Sequence, residues 1–151
     1  MDEKTLKMLS EMSFHFRQIS KLCEDIVKTE NQKIKGTKHS HIKDILLDIG
    51  PFSNMIGFMY TIEAIEYMLN SKNIYKTGMV SQVYSHIAKT HCVTDTSVER
   101  CIRSIMEACF DYGDHEVLNK LKLKTNVNGK ITNSQFLFGI YHYCVANGIE
   151  N

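Results

Sequence analysis

The sequence predicts an all-α protein: about six helices in a domain that contains a helix-turn-helix, preceded by one long N-terminal helix. Apolar residues recur at steps of three and four through each long segment, the period of one helical face. Gly50-Pro51, Gly113 and Gly148 fall where those periodic segments stop. Between Val80 and Tyr112 two such segments are separated only by the polar run THCVTDT, too short for another element.

Residues 3 to about 32 hold no glycine or proline, and Leu9, Met12, Phe16, Ile19, Cys23 and Ile26 recur at alternating steps of three and four. That is a heptad seam of about three repeats. Leu6, Leu22 and Val27 widen it, so the stripe suits packing on the following domain as well as a homodimer through this helix. Asn31 to His41 (NQKIKGTKHSH) reads as a linker or helix break, with Lys33, Lys35 and Lys38 solvated. The expected division is therefore an N-terminal helix and linker over 1–38 and a helix-turn-helix domain over 39–151.

Ile42, Ile45, Leu46 and Ile49 mark a short helix stopped by Gly50-Pro51, and Met55 to Leu69 a second one. Glu63 and Glu66 read as its solvated acidic face, since no nucleophile or metal partner accompanies them.

The helix-turn-helix follows. Val80, Val83, Tyr84, Ile87 and Ala88 form one apolar face; Val98, Cys101, Ile102, Ile105, Met106 and Cys109 form the next. Thr96 with Glu99 three residues on reads as a capping box, which starts the second helix at Ser97. Small Ala88 sits where two steeply crossed helices touch, and the spacing matches the skeleton of a DNA-binding helix-turn-helix. Ser97, Glu99, Arg100, Arg103, Ser104 and Glu107 then face outward. A guanidinium can bond both major-groove acceptors of guanine, so Arg100 and Arg103 are the natural base readers. The same pattern also fits an ordinary helix pair with a charged face. Cys92 stands where such turns often carry glycine.

Gly113 caps the second helix, and His115 to Leu123 is a short helix. Lys124 to Lys130 (KTNVNGK) is turn-rich, and Asn128-Gly129 allows a small β-ribbon. Lys120, Lys122, Lys124 and Lys130 are either phosphate braces or solvated. The last helix runs from Asn133 to about Ala146.

Composition limits the function. Eighteen basic against seventeen acidic residues in 151 leave a net charge of +1, without the strong basic field usual in nucleic-acid binding. Five cysteines without a C-x-x-C pair, with eight methionines, point to a reducing cytosol. No signal peptide or long apolar run supports secretion or a membrane span. There is no P-loop, dinucleotide fingerprint or H-E-x-x-H, and His39, His41, His91 and Cys92 lack tetrahedral zinc spacing. No catalytic residue, metal or cofactor is expected.

A family resemblance rests on Ile87-Ala88-Lys89 and on Thr96-Ser97-Val98-Glu99-Arg100-Cys101-Ile102-Arg103. It extends to Ile49-Gly50, Gly57-Phe58-Met59-Tyr60, Glu63-Ala64-Ile65-Glu66 and Thr132-Asn133-Ser134-Gln135-Phe136. These runs resemble the C-terminal effector domain of the stage zero sporulation protein A family, response regulators of spore-forming bacteria. The resemblance covers roughly His39 to the end and implies an all-α effector domain whose second motif helix enters the major groove, reading a box with a TGTCGAA-like core. It implies base contacts by Glu99, Arg100 and Arg103; Lys89 and Thr96 are placed for phosphate, and Ser97 and Ser104 complete the expected DNA-binding set. Relatives carry Arg at the position of Ser97 and His at that of Ser104. They also place a phosphorylated receiver before the effector, whereas the 38 residues here read as a helix. The expectation is a double-stranded-DNA-binding transcription regulator not controlled by aspartyl phosphorylation of its own chain. The alternative is a protein-interaction module that pairs with or titrates a related regulator.

Overall fold

The computed structural model describes residues 3–123 and 131–149. Among these residues six α-helices appear in order: α1 (Glu3–Ile49), α2 (Ile56–Leu69), α3 (Met79–His91), α4 (Asp95–Tyr112), α5 (His115–Lys120) and α6 (Asn133–Ala146). No strand occurs among the described residues. The chain separates into two compact units, Met1–Thr37 and Lys38–Asn151. The β-ribbon expected within Lys124–Lys130 lies outside the described residues.

The first unit is the leading part of α1. Its seam residues Leu9, Met12, Phe16, Ile19 and Ile26, with Leu6, Leu22 and Val27, are all exposed. Helix continues through residues 31–41, where the sequence predicted a break. A lone Gly36 costs a helix only about 1 kcal/mol. Around it the Lys33 ammonium bonds Glu30 at 3.2 Å, and the Thr37 hydroxyl bonds the Lys33 carbonyl at 3.0 Å. The two expected helices are therefore one. Lys38 also departs from the solvated reading: it is buried, with its ammonium 3.5 Å from Asn70 Oδ1.

In the second unit Ile42, Leu46 and Ile49 from the end of α1 are buried among α2–α6. The α1 end is tied down where the Asp114 N–H donates to the Ile49 carbonyl at 2.7 Å. The α2 face Phe58, Ile62, Ile65 and Met68, the α4 face Val98, Ile102, Ile105 and Cys109, and the α6 face Phe136, Leu137, Ile140 and Cys144 complete one core. Gly57 sets the closeness of α2 to α4: a Cβ there would fall on the Cys101 carbonyl. Thr132 caps α6 in a reciprocal box with Gln135, satisfying two orphan backbone donors.

Glu63 and Glu66 are not a solvated acidic face. Each is half-buried and faces a histidine: His91 Nε2 lies 2.8 and 2.9 Å from the Glu63 oxygens, and His39 Nδ1 lies 3.0 Å from Glu66. The glutamates pin α3 and the end of α1 to α2. Their helical spacing was legible; the histidines 27 and 28 residues away in sequence were not.

Candidate nucleic-acid interface

The turn between α3 and α4 comprises only Cys92, Val93 and Thr94. It reverses because Cys92 adopts the left-handed conformation, φ 55° and ψ 41°. The Val93 N–H then reaches back to the Ala88 carbonyl at 3.0 Å, a closure that usually employs glycine. Ala88 is buried at this corner, and Val83 and Ile87 present the rest of the α3 face to the core.

The cap of α4 lies two residues earlier than the sequence reading placed it. Thr94, not Thr96, is the N-cap, accepting from the Ser97 N–H at 3.2 Å, and helix begins at Asp95. Asp95 explains the earlier start. Its carboxylate sits in the first turn, where it opposes the positive end of the helix dipole, and it accepts a hydrogen bond from Ser85 on α3. Thr96 is thereby placed on the exposed first turn. Glu99, freed from capping, turns along the helix and accepts from the Arg103 guanidinium one turn on.

The sequence-predicted residues lie on α4 and the last turn of α3, and they differ in state. Arg100 is exposed and makes no hydrogen bond or ion pair with any described residue. Arg103 is 54% exposed while paired to Glu99. Thr96, Arg100, Arg103 and Glu107 are exposed and follow the three- and four-residue spacing of one face, opposite buried Val98, Ile102 and Ile105. Ser104 is exposed beside them. The Ser97 hydroxyl is already engaged, 2.9 Å from the Thr94 hydroxyl. Lys89 is exposed in the last turn of α3, where a cation also complements the negative helix end.

Sequence reasoning missed the brace behind this surface. Asn133, at the start of α6, is buried; its Nδ2 donates to the Glu99 carbonyl at 3.0 Å and to the Tyr84 hydroxyl at 3.1 Å. One side chain thus joins α6, α4 and α3. Burial raises the Tyr84 phenol above its usual 10.0, against a lowering by the Asn133 bond, so Tyr84 stays neutral at physiological pH. The signal was present in the Thr-Asn-Ser-x-Phe run, but nothing local says that its Asn reaches a backbone carbonyl 34 residues earlier. A cleft of about 770 Å³ opens beside this brace, lined by Tyr84, Glu99, Arg103, Glu107, Asp111 and Asn133 among others.

Among the described residues no group of three or more His, Cys, Asp or Glu is placed to hold a metal ion, and no helix is long and apolar enough to cross a membrane. The chain matches the family described as "Sporulation initiation factor Spo0A C terminal" over residues 42–144 of 151. The match spans the end of α1 through nearly all of α6 and contains the whole of the turn, α4 and the Asn133 brace. The family is one of DNA-binding effector domains rather than of enzymes. An all-α unit built around a three-residue turn, with an exposed arginine face on its second helix, thus has its place: the chain belongs to the family of the Spo0A C-terminal domain.

Proposed function

We propose that the protein is a sequence-specific transcription regulator in which α4 enters the major groove and Arg100 and Arg103 read base edges. The observation that carries this reading is Arg100, exposed and without a partner among the described residues, on the same helical face as Arg103 and Thr96. A guanidinium bonds guanine O6 and N7 together. Lys89 and Thr96 contact phosphate, Ser97 and Ser104 line the groove, and Glu99, once Arg103 has left it for a base, accepts from a cytosine amino group. We propose further that regulation does not run through aspartyl phosphorylation of these 151 residues, because the described residues before the family match are helix and not an α/β receiver.

The test is titration of labelled duplexes selected from a random pool, at several salt concentrations. Arg100→Ala is expected to weaken binding by about 1–3 kcal/mol and to relax one base preference. Equal affinity for all duplexes in the parent and the variant removes base reading. A second reading, a module that pairs with itself or a related regulator without reading DNA, is favoured by the net charge of only +1 and by the exposed apolar face of α1. It predicts no sequence preference in the same titration.

A further inference from the structure

The exposed face of α1 is the largest feature that DNA binding leaves unused. Leu9, Met12, Phe16, Ile19 and Ile26 are 49–66% exposed, and Cys23 is exposed among them. Monomeric proteins rarely leave so long an apolar stripe in water. We infer that a second copy of this chain covers it, the two α1 segments pairing antiparallel as a short coiled coil.

Three arguments select this occupant. The first is charge. With Leu9 and Phe16 at one seam position and Met12 and Ile19 at the other, the flanking positions hold Met8, Ser13, His15, Ser20 and Thr29, none of them carboxylate, Lys or Arg. The charges Lys7, Glu11, Arg17, Lys21, Glu24, Asp25 and Lys28 all lie on the far side of the helix. A helix meant for a different partner usually marks it with flanking charges; this one carries no mark against itself. The far-side charges are mixed in sign, which gives an anionic lipid surface little to attract.

The second argument is volume. A parallel pair would stack Phe16 on Phe16 and Cys23 on Cys23, one layer overfilled and one underfilled. The antiparallel pair places Phe16 against Ile19 of the second copy, Met12 against Cys23 and Leu9 against Ile26. The Phe16 and Cys23 layers then each join a larger and a smaller residue, and the Leu9 layer joins two of equal volume, so that no layer is overfilled or underfilled. It also brings Leu6 against Val27 of the second copy, and it sets Ser13 and Ser20 together beside the bulky Phe16 layers.

The third is area. At roughly 100 Å² of exposed surface per large apolar side chain, the seam with Leu6, Leu22 and Val27 lets two copies bury on the order of 1,000 Å² or more, the size at which specific interfaces begin. The inference holds whether or not Arg100 reads DNA.

Light scattering on the full chain during size exclusion should give the mass of two chains. Phe16→Glu should give the mass of one, with unchanged thermal melting of the core. With a mild oxidant, Met12→Cys should form a covalent dimer through position 12 of one copy and Cys23 of the other, as mapped by peptide mass. The parent chain should not couple Cys23 to Cys23. A single-chain mass at all concentrations, or a Phe16→Glu variant that stays paired, overturns the proposal. Binding of the single chain to anionic vesicles likewise replaces it with a lipid surface. A Cys23–Cys23 link in the parent overturns the antiparallel register.

Discussion

At the scale of single residues, the two arginines of α4 are not equivalent. On the proposed reading Arg100 needs only to be desolvated to engage a base, whereas Arg103 must first leave Glu99. An exposed pair of this kind is worth at most about 1 kcal/mol, so Arg103→Ala is expected to weaken DNA binding less than Arg100→Ala. In a Glu99→Gln background the Arg103→Ala loss should grow, because the competing carboxylate is gone. A double-mutant cycle on duplex affinity measures this, and a coupling of zero would remove Glu99 from the account. Cys92 is the other instructive residue. It holds φ 55° while exposed, and a left-handed conformation costs a residue with a Cβ roughly 1 kcal/mol. Cys92→Gly should therefore raise stability by up to about 1 kcal/mol, less the extra entropy glycine brings to the unfolded chain. A thermal melt reads the sign directly. Cys92→Val, branched at Cβ, should lower it.

At the scale of elements, the register of the helix-turn-helix depends on how closely α2 approaches α4. Gly57 lies against the Cys101 carbonyl, with the Ile105 side chain 3.1 Å from where a Cβ would be. Gly57→Ala must push α4 outward or distort α2, and overpacking of this kind costs about 1–3 kcal/mol. Since α4 carries Arg100, duplex affinity should fall even where the variant stays folded; chemical denaturation and duplex titration on the same samples separate the two losses. The need for glycine here was not legible, because a glycine within a periodic helical segment looks like a tolerated defect until its neighbour is known. Periodicity was legible wherever one face is buried: the end of α1 at Ile49 and the span Asn133–Ala146 of α6 follow from it directly. It failed at Asn31–His41, where glycine and lysines imitated a linker although each turn retained local support. It also misplaced the α4 cap, because Thr94 and Thr96 are equally good caps in isolation, and the Ser85 bond to Asp95 favoured the earlier one. The candidate site was legible as a set of outward residues, but not as a surface braced by Asn133.

At the scale of the whole molecule, two dependences on solution conditions follow. Burial pushes the Cys109 thiol from 9.0 to about 12 and the Cys144 thiol to about 11. Both are neutral in the folded core, so their stabilisation is complete below about pH 9, where unfolded thiols are also neutral. Above that the unfolded chain ionises first and binds fewer protons than the folded one. Stability must then fall as pH rises, through the range up to the folded values. A loss of a few kcal/mol by about pH 10.5 is expected from urea midpoints, and Cys109→Ala should make the decline shallower.

The second dependence is on salt. With a net charge of +1, the protein has no general field to draw it to DNA, and its electrostatic affinity must come from the few cations at the interface. On the proposed interface Lys89, Arg100 and Arg103 are the exposed basic residues. Each phosphate neutralised contributes about −0.9 to the slope of log K against log salt. Three contacts at most give a slope near −2.7 per domain, or roughly a 40-fold loss between 50 and 200 mM salt. Arg100 and Arg103 reduce even that figure to the extent that they meet bases instead of phosphates. A shallow slope means that discrimination survives at high salt, since base-edge bonds release no counterions. A slope clearly steeper than about −2.7 per domain would require cations beyond these three, with Lys120 and Lys122 the next to replace, and would shift the proposed interface away from the face of α4.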